Sequence, residues 1–224
     1  MTSYIKTALI FLFTIPCVCN GEIITKIDTN NIKIGRKYVI YLHGKIIEDQ
    51  GIPAISNQYG EYKYDEILQS LSNHGLCVIS EKRNKNTNIY EYAEYISDVI
   101  KNLIDNGVLP EDISVIGASK GAAIAICVSH ILDNKDLNFI LLSICCDKID
   151  SFMFNNNIQL SGYILHIYDE SDSIAERCTA FKHILNSNNI TKFNEIQTKL
   201  GLGHGLLYQP FDEWIKPTIK WIMY

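Results

Sequence analysis

The sequence predicts an α/β fold in which a mostly parallel central sheet carries helices on both faces. Two observations support this. Short apolar, β-branched runs recur at residues 37–42, 76–80, 113–116, 137–145 and 162–168, and continuous apolar runs are what strands covered on both faces require. Between them lie segments whose apolar residues return every three or four positions, so strands alternate with helices, the order that builds a parallel sheet.

The chain of 224 residues has room for one such domain with a substantial core. Its 20 basic and 25 acidic residues include no basic stretch suited to a phosphate backbone, which argues against a nucleic-acid partner. Residues 1–21 read as a secretory signal peptide: Lys6 is their only charged side chain, residues 8–15 are largely apolar, and Cys17-Val-Cys19-Asn-Gly21 follows. The competing reading is a retained N-terminal anchor. No later stretch is apolar enough to span a bilayer, so residues 22–224 are expected to form a single exported domain, periplasmic or secreted. Five cysteines remain after residue 21. Cys77 and Cys127 sit in apolar runs and read as small buried hydrophobes. One bridge from Cys145 or Cys146 to Cys178 is expected, because these positions follow strand ends on one edge of the fold. No cysteine or histidine spacing suggests a zinc site, and no cofactor is implied.

In chain order, residues 22–28 suggest an edge strand before the Thr29-Asn30-Asn31 turn. The strand at 37–42 stops at His43-Gly44. Residues 46–62 read as a polar loop bordering the site. A helix is predicted over 64–73, with Ile67, Leu68 and Leu71 on one face and His74-Gly75 as its stop. The strand at 76–80 leads to Glu81-Lys-Arg83. Arg83, at a strand's carboxyl end, is a candidate for substrate contact, against the plainer reading of a solvated charge run. The periodicity of Tyr92, Tyr95, Ile96, Val99, Ile100 and Leu103 predicts a helix over 88–104, ended by Gly107 and Pro110. Beyond a helix at 122–132 and the strand at 137–145, residues 147–161 show no clear element, with room for only a turn or two of lid. The strand at 162–168, a strand at 193–199 and a packing helix over 211–224 complete the chain.

The strand at 113–116 runs directly into Gly117-Ala-Ser-Lys-Gly121 and a helix. In so sharp a turn flanking side chains collide, so glycines on either side leave the central Ser119 protruding, the G-x-S-x-G arrangement of an exposed nucleophile. A serine needs a base to become reactive. His204, on the glycine-rich segment 201–205, is free to reach across, whereas His130, His166 and His183 fall in predicted elements. For the acid, Asp172 competes with Asp169 and, less well, Glu170.

Four landmarks stand in order: Leu42-His-Gly-Lys45, Gly117-Ala-Ser-Lys-Gly121, Tyr168-Asp-Glu-Ser-Asp172 and Gly201-Leu-Gly-His204-Gly205. On these the chain resembles the α/β-hydrolase-fold serine hydrolases, of the small esterase or dienelactone-hydrolase-like kind, over nearly all of residues 22–224. The resemblance implies Ser119 as nucleophile, His204 as base and Asp172 as acid, on the family's strand-x-Gly-x-x-Asp spacing with Asp169 in the glycine's place. It implies backbone amides of Lys45 and Lys120 as oxyanion donors, with His43 and Gly44 beside the substrate. His43 precedes the serine, which is the wrong order for the base, and reads more simply as a strand-end histidine bonded to backbone. The expected substrate is a small acyl compound, since the His-Gly-Gly-Gly run of lipases is absent. A peptidase or thioesterase on the same residues, or a non-catalytic binding protein of this fold, are the rival readings.

Overall fold

A computed structural model describes residues 21–25, 32–180 and 183–224. The expected signal peptide, apart from Gly21, and the Thr29-Asn30-Asn31 turn lie outside them.

The elements are β1 (Glu22–Ile24), β2 (Tyr38–Leu42), α1 (Lys45–Gln50), β3 (Ala54–Ser56), β4 (Gly60–Tyr62), α2 (Tyr64–Ser72), β5 (Cys77–Ile79), α3 (Ile89–Asp105), β6 (Ile113–Ala118), α4 (Lys120–Leu132), β7 (Asn138–Leu142), α5 (Asp147–Asn155), β8 (Gly162–Asp169), β9 (Ile190–Thr198) and α6 (Asp212–Met223). Seven strands form one sheet in the order β1-β5-β2-β6-β7-β8-β9, with every neighbouring pair parallel. All strand carboxyl ends therefore face one way, and the loops that follow them share one rim.

Side-chain alternation along each strand feeds two cores. In β2, Tyr38, Ile40 and Leu42 join a cluster with Ile96 and Ile100 of α3, most of α4 and Met153 of α5. Val39 and Tyr41 join the opposite cluster with Ile47 of α1, Ile67 and Leu71 of α2 and Trp214 and Ile215 of α6. Helices thus cover both faces, as expected. Helix α4 is buried around most of its circumference, from Gly121 to Ser129, which explains why its apolar residues show little periodicity. Helix α3 is amphipathic and starts where Asn88 Oδ1 accepts from the amides of Tyr90 and Glu91.

Two segments depart from expectation. Residues 46–62 contain α1 and the antiparallel β3–β4 hairpin, and residues 147–161 contain α5. Elements of three to nine residues have too few turns to display a period; α5 buries Met153 alone, so its sequence carries almost no apolar stripe. Among the described residues no helix is long and apolar enough to cross a membrane.

Cys145, just beyond β7, is bridged to Cys178 in the segment after β8. Cys77 and Cys127 are buried, Cys146 is half-buried, and among the described residues none of the three forms a disulfide. The chain from residue 22 onward, denatured without reductant, is predicted to titrate as the three thiols Cys77, Cys127 and Cys146 with a chromogenic disulfide reagent. A count of five rules out the bridge.

Candidate active site

Strand β6 and helix α4 are separated by Ser119 alone, at φ 52° and ψ −115°. A non-glycine residue in that region carries strain of about 1–3 kcal/mol, held here by the packed elements on both sides. Clearance comes from the two glycines. A Cβ on Gly121 would lie 1.9 Å from the Leu42 carbonyl oxygen, and one on Gly117 would lie 2.5 Å from Ala122 Cα. Both obstacles are backbone, so neither position accepts a side chain without moving a strand or helix. Ser119 is pinned from its own amide, which donates to Leu142 O of the adjoining β7 at 3.0 Å, while its carbonyl accepts from Ala122 and Ala123.

The structure brings together the three residues expected to act jointly. His204 Nε2 stands 2.9 Å from Ser119 Oγ, and Nδ1 of the same ring stands 2.8 Å from Asp172 Oδ2. The carboxylate keeps the ring proton on Nδ1, leaving the Nε2 lone pair to accept from the serine hydroxyl. Asp172 Oδ1 accepts from the amides of Ile174 and Ala175. Burial works to raise the Asp172 carboxyl, but the His204 hydrogen bond, the His204 charge and the Ile174 amide outweigh it and hold the carboxyl below its ordinary range.

Asp169, the alternative acid, faces other partners. Its oxygens accept from Ser171 Oγ, Thr198 Oγ1 and the amides of Ser171, Leu200 and Gly203. Burial again pushes the carboxyl up, and the donors from Ser171, Thr198 and Leu200 overcome it, setting it at about 2. Asp169 therefore ties the acid turn to the segment that carries His204. Glu170 is exposed and lies 4.0 Å from Lys199.

At the end of β2, Gly44 lies against the elbow: a Cβ there would be 3.9 Å from Ser119 Cβ. Lys45 and Lys120 are each the first residue of a helix, where the amide has no intrahelical carbonyl to bond. His43 does not face the rim. It is fully buried, Nδ1 donates to Gly44 O at 2.9 Å, and Nε2 accepts from the Arg83 amide at 3.0 Å. Burial, aided by the Arg83 charge, lowers the ring to about 3. Arg83 is a correction to both sequence readings. Its side chain is neither in a solvated charge run nor at the rim, but fully buried, with Nε donating to Glu48 Oε1 at 2.7 Å. Glu48 and Tyr59, both in the segment read as a loop, are the site neighbours that sequence reasoning missed. The Tyr59 ring packs on His204 with centroids 6.5 Å apart.

A hollow of about 450 Å³ is lined by Tyr59, Ser171, Gly201, Gly203, Gly205 and Phe211 among others, the chain neighbours of His204 but not His204 or Ser119 themselves. A larger one, about 940 Å³, opens at the amino ends of the strands beside α6 and contains none of these residues. Among the described residues one cluster has the makings of a metal site, Cys145, His166 and Cys178, but its sulfurs are joined to each other and offer no thiolate.

With this geometry in view, the sequence profile of the phospholipase/carboxylesterase family matches residues 75–219, a span that includes Ser119, Asp172 and His204. The chain belongs to that family. It is a hydrolase of the esterase type on the α/β-hydrolase fold. Solved structures share the fold at low identity. A point variant of Arabidopsis thaliana SOBER1 superposes with a TM-score of 0.54 at 15% identity, covering 83% of this chain and 98% of that one. An arylesterase superposes with a TM-score of 0.57 at 17% identity, covering 86% and 79%. No curated relative matches by sequence.

The buried His43 generates a pH prediction. In the folded family member the ring stays neutral down to about 3, whereas in the unfolded chain it takes its proton near 6.5. Between those values the unfolded state binds the additional proton, so stability falls as pH falls, by at most about 1.4 kcal/mol per pH unit from this group. Urea midpoints followed from neutral pH down to about pH 4 should decline more steeply for the parent than for His43→Asn. Parallel slopes would remove His43 as the source.

Proposed function

We propose that this hydrolase is a serine enzyme that cleaves an ester or related acyl bond of a small substrate through an acyl-enzyme. The observation that carries the reading is the hydrogen-bonded line from Ser119 Oγ through the His204 ring to Asp172, with the serine on a strained turn. His204 takes the hydroxyl proton as Oγ attacks the acyl carbon, and Asp172 stabilises the imidazolium that forms. The negative charge on the former carbonyl oxygen is met by the amides of Lys45 and Lys120. His204 then protonates the leaving alcohol. A water, deprotonated by the same ring, attacks the acyl carbon; the acyl–Oγ bond breaks to release the acid, and the ring returns the proton to Ser119 Oγ. Export is part of this proposal: the N-terminal pattern suggests it, and the Cys145–Cys178 bridge suits an oxidising compartment.

Labelling with a fluorophosphonate and turnover of short p-nitrophenyl esters test the assignment. Ser119→Ala should lose both. Asp172→Asn should lower kcat by about 10³–10⁴-fold with the fold intact, the cost of losing the ring's orienting carboxylate. Asp169→Asn should instead lower stability by about 2 kcal/mol, seen as a shifted urea midpoint, because it weakens charge-assisted bonds to the His204 segment. If the two asparagine variants exchange these phenotypes, Asp169 is the acid. A Ser119→Ala protein that still labels like its parent removes Ser119 from the role.

A further inference from the structure

Behind the two helix starts lies a chain of buried charges that the proposed mechanism does not use. Glu48, on α1, has a fully buried carboxylate shared by two cations: Oε1 accepts from Arg83 Nε at 2.7 Å and Oε2 accepts from Lys120 Nζ at 2.6 Å. Lys120 Nζ also donates to Thr87 O at 2.7 Å. From Arg83 the chain continues to the other side, where Nη2 donates to the His43 carbonyl and the Arg83 amide donates to the His43 ring. That ring in turn donates to Gly44 O. The path therefore runs from the residue just after Ser119 to the residue just before Lys45, through side chains that are almost wholly out of water.

Stability alone explains this arrangement poorly. Two fully buried charges, Glu48 and Arg83, and the part-buried Lys120 carry a desolvation penalty that packed apolar side chains would avoid. They do, however, tie together three segments distant in the chain, namely α1 with its preceding turn, the loop after β5, and the start of α4. Their formal sum is one positive charge, carried on the two helices and the loop that surround the proposed oxyanion site.

We propose that Glu48, Arg83 and Lys120 are positioning residues for the oxyanion hole: the shared carboxylate locks the Lys45 and Lys120 amides at one separation, and the surplus positive charge favours the alkoxide. The proposal rests on the serine-hydrolase reading and adds to it a role for three side chains. It separates the functions of Lys120, whose amide meets the oxyanion while its side chain holds that amide in place.

The test uses the full chain and variants Glu48→Gln, Lys120→Met and Lys120→Arg. Active sites are counted with a fluorophosphonate, and kcat and KM for a short p-nitrophenyl ester are expressed per labelled site, so that loss of folded protein is divided out. Glu48→Gln and Lys120→Met should each lower kcat per site and the labelling rate by about 10–100-fold, less than outright loss of a donor, with KM little changed. Lys120→Arg should recover most of the loss. Unchanged kcat per site in Lys120→Met, a small surface-proximal truncation expected to fold, overturns the proposal even if Glu48→Gln fails to fold. A parent protein that neither labels nor turns over ester overturns the hydrolase reading instead, and this proposal with it.

Discussion

Everything at the rim depends on how closely α4 approaches the end of β2. With the Gly121 Cβ position only 1.9 Å from the Leu42 carbonyl, the helix is packed against strand backbone with no side chain between them. That contact forces the chain to turn within one residue, and Ser119 occupies the left-handed region as a result. The same contact brings the first residue of α4 beside the turn after β2, so the exposed hydroxyl and the two helix-start amides are products of one steric constraint. A larger residue at 121 would not merely perturb the serine. It would separate the two halves of the site.

On this frame, each remaining group reaches the rim from a different strand, and polar connections tie the segments to one another. The segment after β8 supplies Asp172 and that after β9 supplies His204. Asp169 and Thr198, paired across the two strands, bond both segments to each other. The Cys145–Cys178 bridge anchors the far end of the Asp172 segment to β7. Hydrogen bonds and one covalent link thus add to the apolar anchorage that Leu206 and Leu207 give the His204 segment. This is how a flexible-looking rim can hold an imidazole within hydrogen-bond reach of a hydroxyl 85 residues away.

Much of this was legible in the sequence because it leaves local marks. Buried parallel strands print continuous apolar runs, α3 prints a helical period, and the elbow prints its glycines. The order of Ser119, Asp172 and His204 then suffices to nominate the site. What escaped has no local mark. Glu48 meets Arg83 and Lys120 across separations of 35 and 72 residues, and a charged residue bound for burial looks the same in sequence as one bound for solvent. Arg83, flanked by Glu81, Lys82 and Lys85, resembled a surface run for that reason. Helix α1 went unseen because it has six residues and buries only Ile47 and Glu48, one apolar and one charged. Its stability comes from the ion pairs and the Tyr-rich hairpin beside it, which are tertiary features.

The pair Asp169 and Asp172 shows where spacing reasoning ends and geometry begins. Three residues apart around a tight turn, both carboxylates are buried and both are drawn below their ordinary range despite that burial. The difference lies in what opposes desolvation. Asp169 is satisfied by hydroxyls and backbone amides, neutral donors that surround it and leave no oxygen facing the imidazole. Asp172 relies first on the His204 ring, the one partner that changes charge in the proposed mechanism. A carboxylate enclosed by fixed neutral donors can shape a loop, but only one whose main partner becomes charged during the reaction gains interaction energy at that moment. The aspartate that replaces the family's glycine at position 169 is therefore no surplus acid. Its oxygens accept from both the acid turn and the His204 segment, setting the turn from which Asp172 meets the ring.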